Sequence, residues 1–344
     1  MKLSFPPGRA MVLGGLLLLA AVPAFAQGSG SATMDAIRAR GQLVCGVTTG
    51  VAGFSLADSK GVIQGIDADT CRAVAAAVLG DAGKLRFVPT TTTNRFTALQ
   101  SGEVDLLVRT TTWTLGREAN LGLLFAGVNF YDGTGFLVKA STGIKSAKEL
   151  NGATICVQPG TSTELALADY FRLNNMKFSP ILIQDLSEIQ SSYMSGRCDA
   201  YSLDQSGLAA FRSQQGGKAS EHLLLPDIIS KEPLGLMVRK GDDKFFDVVR
   251  WTLFAMFQAE ESGVTSKNVD EMTKSNNPDI RRLLGVEGDL GKALGVDNRW
   301  VVNIIKSVGN YGELWDRDIV PLGIPRGINN LWNKGGLHYP PPIR

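Results

Sequence analysis

The chain has 344 residues, enough for two domains of ~100–200 residues each. Its hydrophobic content of 44 % and charged content of 20 % are typical of globular domains, which excludes a disordered or collagen-like chain. Lys and Arg number 35 against 33 Asp and Glu, and this near balance provides no basic surface for nucleic acid.

The first 26 residues have the three parts of a cleavable signal peptide. Lys2 and Arg9 give a positive start, residues 11–22 are apolar, and Ala24-Phe25-Ala26 supplies the small residues that a signal peptidase reads. The alternative is a membrane anchor, but a span needs ~20 apolar residues and this run is shorter. We therefore predict cleavage after Ala26 and export to the periplasm.

Strand-like and helix-like segments alternate in the first half, which is the pattern of an α/β protein. Asp67 or Asp69 is expected to cap the first of the helices, and Asn94 the second. The predicted strands are 42–47, 85–89 and 104–108, and the predicted helices are 69–79 and 95–101.

The second half repeats this order of elements. In both halves a helix ends in Ser-Gly, at Gly102 and Gly196, and a strand with an aspartate, Asp105 or Asp199, follows. The repeat predicts two similar lobes. The predicted strands are 153–158, 181–184 and 198–203, and the predicted helices are 163–174, 187–195 and 205–211.

Two apolar segments that contain glycine are predicted to connect the lobes, and a chain that crosses twice can close them about a hinge. The stripe Trp251, Phe254 and Phe257 in a helix over 245–260 has the spacing of a core face. We assign 35–133 to lobe 1, 134–140 and 232–238 to hinge segments, 141–231 to lobe 2, and 239–344 to a return to lobe 1 with a helical C-terminal extension.

Four cysteines, Cys45, Cys71, Cys156 and Cys198, suit an oxidising compartment, and four allow three connectivities. We favour Cys45–Cys71 and Cys156–Cys198, since each pair then lies within one lobe; buried thiols are the alternative. There is no close Cys-x-x-Cys pair, and two histidines (222 and 338) provide little material for a metal site or a Ser-His-Asp triad.

A row of hydroxyl side chains, Thr110-Thr111-Thr112, follows the buried strand 104–108, and Arg117 comes shortly after. Ligands of open α/β sheets gather beyond the carboxyl ends of the strands. Arginine can bind a carboxylate with two parallel hydrogen bonds. The alternative is that Thr114 caps the next helix and that Arg117 is a solvated helix residue.

The second lobe offers an anion site and a carboxylate. Thr161-x-x-Glu164 is a capping box, so a helix should begin near Ser162 with free N–H groups that suit an anion. Asp204 follows the strand 198–203 and suits an ammonium group, although it can equally be a helix cap. An arginine on one lobe and an aspartate on the other together fit a zwitterion, and such a ligand would favour lobe closure.

These motifs resemble those of the periplasmic solute-binding proteins of polar amino acid ABC importers, in particular the general L-amino-acid-binding subgroup. The resemblance extends over nearly the whole chain after the signal peptide. The stretches that carry it are 43–54, 65–78, 95–117, 151–170, 196–207, 229–235, 246–260, 308–313 and 331–344.

The resemblance implies a type II periplasmic-binding-protein-like fold, α/β, with a mixed sheet in each lobe. It further implies that Arg117 binds the ligand carboxylate with help from Thr112 and the main chain near Thr161 and Ser162. Thr110 and Asp204 would bind the α-ammonium, and Phe54 would lie near the side-chain pocket. The loop 48–53 lacks the acidic and aromatic residues of single-substrate relatives, which is consistent with broad specificity.

The resemblance also implies a binding protein and not an enzyme, without a cofactor, monomeric, with an inner-membrane permease and an ATPase as partners. No nucleotide-binding motif occurs in the chain, so ATP use belongs to a partner. One alternative is a secreted enzyme of the same fold, of the cyclohexadienyl or arogenate dehydratase type, with Asp67, Glu164 or Asp204 as the acid or base. A ligand-sensing receptor without transport is another.

Overall fold

A computed structural model describes residues 1–4, 29–48 and 50–344. The apolar run of the predicted signal peptide and the cleavage point after Ala26 lie outside the described residues. Within these ranges, no helix combines the length and the apolar character that a membrane span requires.

The strands are short and mostly apolar, and the first long one, Leu43–Val47, is buried along its whole length. In chain order they are β1 (Leu43–Val47), β2 (Leu56–Ala57), β3 (Ile63–Gln64), β4 (Leu85–Pro89), β5 (Leu106–Thr112), β6 (Leu123–Asp132), β7 (Thr134–Lys139), β8 (Thr154–Val157), β9 (Ser179–Leu182), β10 (Ala200–Asp204), β11 (His222–Leu224) and β12 (Glu232–Arg239).

The helices begin at polar caps in most cases; Asp242, for example, accepts a hydrogen bond from Phe245 N at 3.0 Å at the start of the longest helix. In chain order they are α1 (Ala32–Arg40), α2 (Ile66–Leu79), α3 (Arg95–Ser101), α4 (Leu115–Asn120), α5 (Ser162–Leu173), α6 (Leu186–Met194), α7 (Gln205–Ser213), α8 (Asp243–Glu261), α9 (Val269–Met272), α10 (Pro278–Leu283), α11 (Leu290–Leu294), α12 (Trp300–Val308) and α13 (Tyr311–Asp318).

Two five-stranded mixed sheets form the centres of two lobes. The lobe 1 sheet has the order β4-β1-β5-β12-β6, with β1 parallel to β4 and β5 and with β12 antiparallel to its neighbours. The lobe 2 sheet has the order β11-β7-β10-β8-β9. The two-lobed α/β fold with mixed sheets that the sequence predicts is therefore confirmed.

The chain crosses between the sheets earlier than the predicted hinge segments. Residues 134–139 form β7 and pair with β10 and β11 in lobe 2, and residues 232–239 form β12 and pair with β5 and β6 in lobe 1. The crossings therefore lie at Gly133 and between 225 and 231. The assignment of 134–140 and 232–238 as hinge segments was wrong in position, because extended crossing segments continue directly into strands.

Helix α2 begins at Ile66 with Gly65 as its cap residue, so Asp67 and Asp69 are first-turn residues and not caps. Gly65 has φ 124°, and a Cβ on it would lie 2.4 Å from the carbonyl of Phe54. Only glycine fits this close approach of two backbone segments.

Asn94 does occupy the cap position of α3, but its side chain accepts from Thr91 N at 2.8 Å and makes no cap bond.

The segment after β12 completes lobe 1. Helices α8 and α12 both pack on α2, and the predicted aromatic stripe is core, since Phe257 is buried and Trp251 and Phe254 pack against the same cluster. The C-terminal extension also contacts the end of β6. Asn329 Oδ1 accepts from Tyr131 N at 2.7 Å, and Asn329 Nδ2 donates to Tyr131 O at 2.9 Å.

Both favoured disulfides are present. Cys45–Cys71 joins β1 to α2 within lobe 1, and Cys156–Cys198 lies within lobe 2. Each lobe thus has a covalent cross-link of its own, and neither cross-link joins the lobes.

Candidate ligand-binding site

A largely polar cavity lies between the lobes. Hydrogen bonds cross the cleft beside it: Thr92 Oγ1 donates to Pro159 O at 3.0 Å, and Gln184 Nε2 donates to Thr92 Oγ1 at 3.3 Å. The lobes are therefore in contact around the cavity. Its lining residues are Thr48, Val51, Thr90, Thr91, Thr92, Arg95, Arg109, Thr110, Thr112 and Arg117 from lobe 1, and Gln158, Thr161, Ser162, Thr163, Gln184, Asp185, Leu186, Leu203, Asp204, Ser206 and Gly207 from lobe 2.

Arg117 lies in the first turn of α4, a short helix that begins after Thr114. Thr114 caps the helix by accepting from Arg117 N at 3.3 Å. The Arg117 guanidinium is nevertheless turned into the cavity wall, where Nη1 donates to Thr112 O at 2.6 Å. Its carbon lies 5.4 Å from the centre of the Phe96 ring. Burial lowers the pKa of Arg117, and the nearby Glu232 and Asp204 partly offset this.

Thr110 has a backbone conformation that β-branched residues rarely adopt. Its φ is 39°, and its N–H donates to Asp67 Oδ2 at 2.9 Å. Asp67 Oδ1 also accepts from Asn129 Nδ2 at 2.8 Å. The buried carboxyl group, held in place by Asn129, thus stabilises the strained backbone conformation of Thr110. Burial raises the pKa of Asp67 to about 6, against the two hydrogen bonds that favour its charged form.

The first turn of α5 faces the cavity from lobe 2. As predicted, the helix begins after Thr161, whose hydroxyl accepts from Glu164 N at 3.1 Å. Glu164 turns back to accept from Gly160 N at 2.8 Å. The hydroxyl of Ser162 lies 3.0 Å from that of Thr112 in lobe 1. Thr161, Ser162 and Thr163 at the start of the helix line the cavity, and the first N–H groups of a helix have no partner within it.

Asp204 occupies the cap position of α7 without acting as a cap. Its side chain makes no cap hydrogen bond, and the residue is only 9 % exposed in the cavity wall. Burial raises the pKa of Asp204 well above its usual value, and the neighbouring Asp132 and Glu232 raise it further, whereas Arg95 and Arg117 lower it. Among the described residues, no donor forms a hydrogen bond that would stabilise the charge of this carboxyl group.

Two cavity arginines were not predicted as site residues. Arg95, at the start of α3, is 2 % exposed, and its Nε has no hydrogen-bond partner; its Nη2 reaches Gly160 O of lobe 2 at 3.4 Å. Arg109 donates through Nε to Thr90 O at 3.0 Å. Burial lowers the pKa of Arg95, and it lowers that of Arg109 to about 10. Arg95 follows a threonine-rich turn at the end of β4, and this sequence context predicts only a helix start.

Phe54 does not line the cavity. It is fully buried in the lobe 1 core, where its ring packs edge-on against Phe130 at 5.1 Å. Its N–H bonds to Val51 O at 3.1 Å, so it supports the cavity loop from below. The placement of Phe54 near the side-chain pocket was therefore wrong, because the loop turns the ring inward. The other predicted site residues, 110, 112, 117, 161, 162 and 204, all line the cavity.

The three residues considered as an acid or base for an enzyme differ in their surroundings. Asp67 and Glu164 are occupied with backbone N–H groups and do not line the cavity, which leaves Asp204 alone. No group of three or more His, Cys, Asp or Glu side chains suited to a metal ion occurs among the described residues.

Residues 43–268 match the family described as bacterial extracellular solute-binding proteins, family 3. The chain belongs to this family. Its relatives include the putative amino-acid ABC transporter-binding protein YhdW of Escherichia coli K12, which is 54 % identical over 322 residues, covering 92 % of this chain and 94 % of the relative. The general L-amino acid-binding periplasmic protein AapJ of Rhizobium johnstonii is 52 % identical, with coverages of 93 % and 95 %.

Another relative of this solute-binding family is the glutamate/glutamine/aspartate/asparagine-binding protein BztA of Rhodobacter capsulatus, 51 % identical with coverages of 94 % and 97 %. Among solved structures, an ABC transporter periplasmic binding protein of Brucella ovis with glutathione bound superimposes with a TM-score of 0.88. It is 54 % identical, and the match covers 91 % of this chain and 99 % of that one.

Proposed function

We propose that this protein is the periplasmic substrate-binding component of an ABC importer for L-amino acids. The observation that carries the proposal is that Arg117 of lobe 1 and Asp204 of lobe 2 line one cavity from opposite sides. A free amino acid bears the two complementary charges on adjacent groups. Membership of the solute-binding family and the transporter names of the close relatives support the same function.

The carboxylate half of the ligand is assigned to the side of Arg117. The guanidinium of Arg117 from lobe 1 and the hydroxyl of Ser162, at the start of α5 in lobe 2, both line the cavity. Guanidinium and helix N-terminus both favour an anion. Because these donors belong to different lobes, a carboxylate bound by all of them would hold the cleft closed.

The ammonium half is assigned to Asp204, with Thr110 beside it in the cavity wall. Asp204 accepts no hydrogen bond as a helix cap, so its oxygens are available to a donor from the ligand. The strained backbone of Thr110, fixed by Asp67, turns this residue toward the same cavity. An ammonium group can donate three hydrogen bonds, which suits a carboxylate and a hydroxyl or carbonyl oxygen together.

The remaining wall favours polar and acidic side chains. Arg95 and Arg109 add two buried cations, and Gln158 and Gln184 add amides. We assign glutamate, aspartate and their amides as preferred ligands within a broad range. The names of BztA and AapJ, which describe acidic and amide amino acids and general L-amino acids, support this assignment.

The protein would act in the periplasm as a monomer and deliver its ligand to an inner-membrane permease that is driven by an ATPase. The rival functions use the same cavity. A dehydratase would convert its ligand, with Asp204 as the remaining acid or base. A sensing receptor would bind the same ligands but would not support uptake.

The test is a titration of the protein, expressed without residues 1–26, against all twenty L-amino acids by calorimetry, with thermal stabilisation as a second measurement. We expect binding of several amino acids, strongest for glutamate, aspartate, glutamine and asparagine, and no turnover of any. Release of a new product from prephenate or arogenate would support the enzyme. Binding without amino-acid uptake in cells that express the neighbouring transporter genes would support the receptor.

A further inference from the structure

Three carboxyl groups converge where the chain crosses between the lobes. Asp132 ends β6 and Glu232 begins β12, and the two residues pair directly opposite each other in the antiparallel ladder. Asp204 ends β10 and pairs with Thr134, two residues beyond Asp132. Cβ atoms of directly opposed residues lie ~4.5–5.5 Å apart, and like charges there destabilise the pair. The strand register therefore places the carboxyl groups of Asp132 and Glu232 close to Asp204, the residue of the proposed ammonium site.

Two of the three carboxyl groups are well supplied with donors. Glu232 accepts from the hydroxyls of Thr112, Ser230 and Thr134, the last at 3.2 Å. Asp132 accepts from Gly133 N at 2.8 Å and from the N–H and hydroxyl of Ser206, in the first turn of α7. The hydrogen bonds to Asp132 favour its charged form.

Asp204 has the poorest environment for a negative charge in this cluster. Its side chain makes no cap bond and forms no ion pair within the described residues. The charged groups that face it are Asp132 and Glu232 from the crossing strands, and Arg95, Arg109 and Arg117 from lobe 1. The buried Tyr201 hydroxyl lies on its own strand and has no hydrogen-bond partner.

Burial, and then the charges of Asp132 and Glu232, raise the pKa of Asp204 well above its usual value despite Arg95 and Arg117. Burial also raises the pKa of Asp132 to about 6, so Asp132 is mostly charged at neutral pH. Among the three carboxyl groups, Asp204 is therefore the one whose surroundings most favour a bound proton when no ammonium group is near. A ligand ammonium group supplies a positive charge next to Asp204 that stabilises its carboxylate form.

We propose that Asp132 is a positioning residue of the ammonium site. It holds the N-terminus of α7 next to Asp204, and its negative charge keeps Asp204 protonated until a ligand ammonium group replaces that proton. On binding, the O–H bond of Asp204 breaks, the proton passes to the solvent, and the carboxylate accepts hydrogen bonds from the ammonium. Amino-acid binding thus releases a proton. This inference rests on the proposed function.

The test is calorimetric titration with L-glutamine, whose side chain does not titrate, in phosphate and Tris buffers at pH 6.5 and 7.5. The dependence of the measured heat on the ionisation enthalpy of the buffer counts the protons released. We expect the unmodified protein to release between about half a proton and one proton per ligand, and its Kd to fall as the pH rises, by at most about tenfold per pH unit.

Asp132→Asn keeps an oxygen acceptor for Ser206 but removes the charge, so it should release less than half as many protons while still binding glutamine. Asp199→Asn is the matched control, because Asp199 also accepts from a backbone N–H and a hydroxyl, those of Thr154, both at 2.7 Å, within lobe 2 and outside the cavity lining. It should leave the proton count unchanged.

Glutamine binding without proton release by the unmodified protein overturns the inference and leaves the proposed function intact. An unchanged proton count in Asp132→Asn overturns the role of Asp132. If Asp132→Asn does not fold, the proton count of the unmodified protein still decides whether binding releases a proton. Absence of any heat or thermal stabilisation with all twenty amino acids contradicts the proposed function itself.

Discussion

Arg117 and Asp204 line the same cavity from different lobes, and neither forms an ion pair within the part of the chain that the structure describes. Buried charges are normally paired, because an unpaired one has lost its hydration without compensation. A guanidinium and a carboxyl group without ion-pair partners on the two sides of a cleft thus favour a ligand that carries both a carboxylate and an ammonium group. This relationship leads to the first two predictions.

Arg117→Ala should raise the Kd of every amino acid by about 100-fold or more, since two charge-assisted hydrogen bonds at ~1.5–3 kcal/mol each are lost. Calorimetry with glutamate, glutamine and alanine measures the effect. Arg172→Ala is the control, because Arg172 is exposed and pairs only with Asp169. Selective loss of a single ligand would contradict the assignment of Arg117 to the common carboxylate.

Asp204→Asn should weaken binding of α-amino acids by ~10–100-fold and should change binding of the matching 2-hydroxy acids by less than about threefold. The reason is that only the former carry an ammonium group that needs the carboxylate. Paired titrations with alanine and lactate, or with glutamate and 2-hydroxyglutarate, measure the difference. Equal losses in both series would count against a contact between Asp204 and the ammonium.

Arg95→Gln should weaken glutamate and aspartate by about tenfold more than alanine and serine, because it removes a buried cation from the side-chain part of the cavity. The ratio of Kd values within one variant is the measurement, so general effects on closure cancel. A uniform loss across all ligands would assign Arg95 to lobe closure, through its contact with Gly160 O, and not to side-chain selection.

Asp67→Asn should change how stability depends on pH. The pKa of Asp67 is raised to about 6 in the folded protein, so the unfolded chain loses this proton at a lower pH. The contribution of Asp67 to folding stability is therefore present in full below about pH 4, and it is lost as the pH rises through 6. The variant should lack this component, about 2 kcal/mol between pH 4.5 and 7. Urea unfolding of both proteins at pH 4.5 and 7 measures it; parallel pH profiles would contradict it.

Removal of either disulfide should destabilise its own lobe. The bridges close loops with separations of 26 and 42 residues, for which chain entropy gives ~3–4 kcal/mol each. Thermal unfolding of the Cys45→Ala/Cys71→Ala and Cys156→Ala/Cys198→Ala proteins should show a lowered Tm in both cases. An unchanged Tm in either protein would mean that the bridge adds nothing to native stability.

Much of the fold could be predicted because its signals are local. Apolar runs bounded by glycine located the strands, and the helix 95–101 agrees with α3 at both ends. The strand 104–108 was predicted too short, because the β-branched threonines that follow extend β5 to Thr112. The crossing positions were missed because a crossing segment and a strand have the same extended, apolar composition.

The site residues also differ in whether a local sequence pattern could predict them. Asp204 could be found from the repeat, since its position follows the corresponding strand of the second lobe. Arg95 could not, because its sequence context describes a helix start, and only the packing of α3 beside the cleft turns it inward. Phe54 was misplaced because its ring packs against Phe130 of β6, and no local sequence pattern records this long-range contact.

A crystal structure of the protein with L-glutamine bound is the most direct test of the central claim, that one ligand is held by a cation from lobe 1 and a carboxylate from lobe 2. The account predicts a ligand carboxylate oxygen within about 2.7–3.2 Å of the Arg117 guanidinium and the ligand nitrogen at a similar distance from Asp204. A ligand bound in the cleft with Arg117 or Asp204 turned away from it would contradict the account.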